Sequence, residues 1–131
     1  MIDRLYKLEE NIKELEKFRI NYKVDDLINN IQIEWILRYG LFESIQIIID
    51  ICCHLVVKFN IGNAKSYSEC IELMCKENYI GKEICERLLK MVGLRNIIVH
   101  EYISVDPKKL YSMLDFLDDF RNFVKQIKNL I

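Results

Sequence analysis

Only four glycines and one proline are spread through 131 residues, and a chain with so little to turn on is driven toward long helices. The length makes one domain, residues 1–131, large enough to bury a core without metal or disulfide staples. The apolar spacing points the same way. Leu5, Leu8, Ile12, Leu15 and Phe18 recur at steps of three and four, which predicts a first helix over about residues 2–20. The longer stripe Ile31, Trp35, Phe42, Ile45, Ile49, Cys52, Val56 and Phe59 predicts a second from Asp25 to Asn60, with Gly40 as the place for a kink. Ile61-Gly62-Asn63 then reads as a stop, and Ser66 with Glu69 as the capping box of a third helix ending near Asn78. Gly81 opens a fourth, carrying Ile84, Leu88, Met91, Ile98 and Tyr102. Asp106-Pro107 caps a fifth that buries Leu110, Met113, Leu117, Phe120, Val124 and Ile127. The expected fold is all-α, a five-helix antiparallel bundle. Ile97-Ile98-Val99 is apolar on successive faces of the fourth helix, as if covered by both its own bundle and a second copy, so a homodimer is expected.

The formal charge of -1 offers no global field for nucleic acid, so any RNA contact must be local. Five cysteines, Cys52, Cys53, Cys70, Cys75 and Cys85, form no C-x-x-C pair and read as buried thiols of a reducing compartment. The charged start MIDRLYKLEE is unlike a secretory signal, and no apolar run reaches the ~18 residues of a membrane span. A cytoplasmic protein without a membrane partner is expected.

The fourth-helix seam runs through positions 84, 88, 91, 95, 98 and 102, and position 95 is arginine where the period asks for an apolar side chain. A guanidinium stays charged and cannot be buried alone, so Arg95 must meet a carboxylate, a phosphate or a wet cleft. A salt bridge between subunits and a phosphate contact are equally open. His100 follows five residues later, about 140° around an ideal helix. One straight helix therefore cannot aim both groups at one atom, unless it frays before Tyr102 or two copies line a shared groove. Asn96, one turn before His100, is placed to fix the imidazole tautomer. An imidazole that takes the proton of an RNA 2′-hydroxyl and a guanidinium that stabilises phosphoryl charge suffice for transesterification without metal. A lone histidine at a helix end is also a common partner of the helix dipole.

Arg95-Asn96-Ile97-Ile98-Val99-His100-Glu101-Tyr102 resembles the R-x-x-x-x-H-x-Y signature of the HepT branch of HEPN toxins. Met91-Val92-Gly93-Leu94 before it, Val105-Asp106 after it, Ser66-Tyr67 and Ile49-Asp50-Ile51 extend the likeness from about Trp35 to the end, with departures at Gln46 and Ala64. The resemblance implies an all-α dimer of a single HEPN domain. The implied function is that of a metal-independent endoribonuclease, the toxin of a type VII toxin–antitoxin pair, with Arg95 and His100 expected to be catalytic, Asn96 supporting and no cofactor. It also implies a minimal nucleotidyltransferase antitoxin that transfers AMP to the motif tyrosine, here Tyr102. The alternative is a catalytically silent HEPN partner of that nucleotidyltransferase, motivated by the acidic balance; a bundle binding a small ligand in its core ranks last.

Three further features are weaker. Arg38 interrupts the second helix's seam and is placed to touch a phosphate or glutamates of the partner, a structural pairing being the favoured reading. Asp50 and His54, four apart, suit a hydrogen-bonded pair better than a metal site, since no third ligand is visible. Lys108, Lys109, Arg121, Lys125 and Lys128, interspersed with Asp115, Asp118 and Asp119, read as a solvated face.

Overall fold

A computed structural model describes residues 1–131. It is all-helical, with seven α-helical segments: α1 (Ile2–Asn21), α2 (Val24–Asn29), α3 (Ile31–Lys58), α4 (Tyr67–Lys76), α5 (Lys82–His100), α6 (Pro107–Ser112) and α7 (Leu117–Ile127). Short 3-10 turns follow α6 and α7. The expected count of five fails at two joints. The long second helix is broken at Asn30, which ends α2 and caps α3, its side chain accepting from the Gln32 N–H at 3.0 Å. The last helix is broken by a 3-10 turn over Met113–Phe116. Neither break carries Gly or Pro, so the apolar period alone could not reveal it.

The remaining ends follow from local chemistry. α3 stops on Asn60 rather than Gly62: Asn60 is left-handed at φ 52°, and the Ile61 N–H reaches back to the Val56 carbonyl at 3.2 Å. Asn78, φ 62°, ends α4 the same way, with the Tyr79 N–H on the Met74 carbonyl. Ser66 caps α4 by accepting from the Glu69 N–H at 3.2 Å, while the Glu69 carboxylate reaches past Ser66 to the Lys65 N–H at 2.6 Å. Asp106 caps α6 with Pro107 in its first turn, as expected.

α3 is the central rod, with α1, α2, α4, α5 and α6 packed on it; α7 closes the bundle against α1 and α5. Gly40 does not interrupt this rod. A Cβ there would sit 3.1 Å from Leu15 Cδ2, so the glycine serves a close approach of α1 to α3. The stripes expected for α1, α5 and the α6–α7 region are buried in one contiguous core, apart from Tyr102, which lies exposed beyond the end of α5; each large buried side chain is worth roughly 1.5–3 kcal/mol of transfer from water. The α3 stripe holds only in part: Ile45, Ile49, Cys52 and Val56 are buried, but Ile31 and Trp35 face outward, and Leu37 and Leu41, outside the stripe, are buried in their place. α3 is also long and apolar enough to cross a membrane, contrary to the expectation that no run is; only part of its apolar surface is covered by the helices packed around it.

Four of the five cysteines are not thiols. Cys53 is joined to Cys70 and Cys75 to Cys85, with Cα separations of 5.0 and 6.0 Å. Packing of α4 between α3 and α5 brings these pairs together, and their sequence spacing gave no hint of it. Cys52 alone is free, its thiol pushed up to about 12 by burial.

Candidate active site

α5 presents Arg95 toward α3 and α4. Its Nε donates to Gln46 Oε1 at 3.1 Å and its Nη1 to Asn96 Oδ1 at 3.1 Å. Two rings flank the guanidinium, with Phe42 of α3 at 5.6 Å and Tyr67 of α4 at 5.2 Å from its central carbon to the ring centres. Gln46 is itself oriented by donating to Asp50 at 2.9 Å, and Asp50 lies 3.7 Å from Arg4 of α1. No carboxylate of the chain pairs with Arg95. Neutral amides and aromatic faces fix its position and leave its charge uncompensated, which is the condition for binding an anion.

His100 is the last residue of α5 and is exposed, with no hydrogen bond to its ring from the chain. Asn96 turns its carbonyl to Arg95, not to His100, because the guanidinium next to it is the stronger donor. α5 ends before Tyr102: Glu101 caps it by donating to the Ile97 carbonyl at 2.9 Å. Tyr102 therefore does not share Arg95's line along the helix. It stands in the turn beyond, 58 % exposed, on the connection to α6.

Beside this site α3 and α5 form an open hollow of about 340 Å³ lined by Trp35, Arg38, Tyr39, Phe42, Ile98 and Val99. Trp35 and Tyr39 are 54 % and 63 % exposed. Arg38 is paired with Glu34 one turn earlier in α3, its Nε donating at 2.9 Å, which is the structural pairing that the sequence allowed. The Asp50–His54 hydrogen bond does not form; Asp50 takes Gln46 and His54 points outward. No three His, Cys, Asp or Glu side chains cluster as a metal would require. Arg121, Lys125 and Lys128 line a groove with Lys13 and Lys17 of α1, but Glu9 and Glu16 share it, and Arg121 is paired with Glu16 and Asp118. Lys108 and Lys109 lie apart, on α6.

Phe42, Gln46 and Tyr67 are parts of the site that the sequence did not announce. Phe42 read as ordinary core, and Gln46 and Tyr67 as incidental to the motif, because the rings and amide that hold Arg95 come from helices other than its own. The one usable signal is the i, i+4 step from Phe42 to Gln46, which puts both on one face of α3.

The chain as a whole is similar to known proteins. The family described as "Ribonuclease HepT-like" matches residues 8–127. A tRNA nuclease HepT of Aphanizomenon flos-aquae is 27 % identical over 129 residues, covering 98 % of this chain and 87 % of that protein. An mRNA nuclease HepT of Shewanella oneidensis is 33 % identical over 81 residues, 61 % of each chain. Among solved structures, a tri-AMPylated HEPN toxin of Shewanella oneidensis in complex with its MNT antitoxin superposes with a TM-score of 0.87 at 24 % identity, covering 98 % of this chain and 96 % of the other.

Proposed function

The chain belongs to the HepT-like ribonuclease family, and from that premise we propose that it is an endoribonuclease toxin whose cutting centre is Arg95 with His100. The observation that carries the reading is the state of Arg95: a guanidinium held by Gln46, Asn96, Phe42 and Tyr67 and neutralised by none of them. Such a group is set to receive the non-bridging oxygens of a phosphodiester, and to stabilise the charge that grows on them in the transition state.

In this mechanism the His100 imidazole takes the proton of the ribose 2′-hydroxyl. The 2′-oxygen forms a bond to phosphorus as the bond from phosphorus to the 5′-oxygen breaks, and the leaving 5′-oxygen is protonated by water or by an imidazolium. The products are a 2′,3′-cyclic phosphate and a 5′-hydroxyl. No step calls for a metal. Because the two groups project about 140° apart from one helix, the centre is completed by a second copy meeting across the hollow of Trp35, Tyr39 and Val99. Asn96 supports the centre by steadying Arg95, and Arg38 by lining the shared face. The partners are a homodimer copy, RNA and a nucleotidyltransferase antitoxin that adds AMP to Tyr102, which accords with the AMPylated toxin and antitoxin of the Shewanella structure.

The test is cleavage of total RNA in EDTA by the purified protein and by Arg95→Ala and His100→Ala. Each substitution is expected to lower the rate by about 10²–10⁴-fold with unchanged helical circular dichroism. Undiminished cutting by either variant overturns the mechanism, and an inactive parent returns the protein to the role of silent partner.

A further inference from the structure

Beside Tyr67, the turn into α4 and the α5 surface form a second, open cleft of about 380 Å³, lined by Lys65, Ser66, Tyr67, Ser68, Val92 and Asn96. That volume falls in the range of small-ligand sites, roughly 300–1,000 Å³. No acidic side chain lines it, in a chain of net charge -1. Its polar groups are an ammonium, three hydroxyls and the Asn96 amide, whose carbonyl is spent on Arg95 and whose NH₂ is free to donate. Lys65 pairs with no carboxylate; the nearby Glu69 carboxylate is occupied by the Lys65 backbone N–H. Tyr67 is 42 % exposed and shared by the Arg95 site and the cleft, its ring against the Arg95 guanidinium and along the cleft.

A donor-rich slot with an aromatic wall and one unpaired cation suits a phosphate, a ribose and a base. Resting on the nuclease reading of Arg95, we propose that this cleft seats the nucleotide adjoining the cut phosphodiester, with Tyr67 stacking on its base, Lys65 meeting its phosphate and Asn96 donating to its sugar or base edge. Arg95 and His100 then decide that a bond is broken, and the cleft decides which nucleotide stands beside it. Asn96 joins the two, since one amide steadies the catalytic cation and faces the incoming nucleotide.

The experiment measures the affinity of full-length protein for a short single-stranded oligoribonucleotide made uncuttable by 2′-O-methyl riboses, alongside steady-state cleavage of the ordinary oligomer. Tyr67→Ala is expected to weaken binding by about 5–150-fold, the worth of one base stacked on an aromatic ring, while Tyr67→Phe keeps affinity. Lys65→Ala, an exposed change with no packing to lose, is expected to raise KM with kcat retained and to lower the salt-dependence slope by about 0.7. His100→Ala is expected to show the opposite split, with kcat lost and affinity kept. Wild-type affinity in both Lys65→Ala and Tyr67→Ala overturns the subsite even if the parent cuts RNA. Binding that depends on Lys65 and Tyr67 in a protein unable to cut supports the cleft and removes the nuclease reading instead.

Discussion

Arg95 shows why a residue that violates a helical period can be found from sequence while its supports cannot. A cation in an apolar seam is conspicuous because burial without compensation is prohibitive. Its compensation comes from Phe42, Gln46 and Tyr67, which are unremarkable where they stand in α3 and α4. Asn96 was legible as a neighbour and misread in its partner, since an amide between a guanidinium and an imidazole goes to the permanent charge. Tyr102 was legible as part of the motif, but its place depended on where α5 ends. The turn that follows His100 frees its phenol from the helix and leaves it exposed. An enzyme that must reach a hydroxyl needs that exposure, and AMP added there would bring an anionic phosphate to the end of α5 that carries the proposed cutting centre. Intact-mass analysis after co-expression with the nucleotidyltransferase is expected to show added AMP, in one or more steps. Tyr102→Phe should remove it; full modification of that variant would refute the assignment.

Among the elements, α1, α5 and α7 were readable because each has one apolar stripe and one wet face. α3 was not. Ile31, Trp35 and Ile36 surround its first turns with apolar surface, so the period could not choose a face, and the one chosen is partly exposed. The contribution of α4 was hidden for another reason: it is short, and its packing through Ile71 and Met74 is reinforced covalently. Cys70 ties it to α3 and Cys75 to α5, closing sequence separations of 17 and 10 residues. Loops of this size are expected to stabilise the fold by on the order of 3 kcal/mol each, chiefly by restricting the unfolded chain. Urea melting should therefore shift to lower midpoint when dithiothreitol is added, and the Cys70→Ser and Cys75→Ser double variant should match the reduced protein and ignore the reagent. Amide exchange should quicken most in α4, which carries Tyr67. Equal midpoints with and without reductant would show that helix packing alone holds α4.

For the whole molecule, the question is what the bundle leaves uncovered. Ile31, Trp35, Ile36 and Tyr39 stand exposed along one end of α3, and half-buried Phe42 of the same helix and Val99 of α5 line the hollow beside them, with Ile98 buried at its floor. Contiguous apolar patches of this kind are seldom left to water on a monomer. Tyr39 is held by donating to Glu43 at 2.7 Å, and the Glu43 carboxyl is held below its ordinary range first by Asn11 and then by Tyr39 itself. The patch thus has a fixed polar rim around an apolar centre, the usual layout of an interface. In the proposed dimer, a two-fold axis through this patch would set each copy's α5 against the other's, the arrangement in which an Arg95 and a His100 that diverge on one helix can converge across two. Val99→Asp places a charge at the centre of that contact while touching little of the chain's own core. By light scattering it is expected to be a monomer with native helical content, and to cut RNA at least about 100-fold more slowly, since catalysis and association are lost together when a site is shared. A Val99→Asp monomer that cuts at the parent rate would mean that one chain holds the whole centre, and α5 would then have to bend or fray at His100 to bring its two groups together.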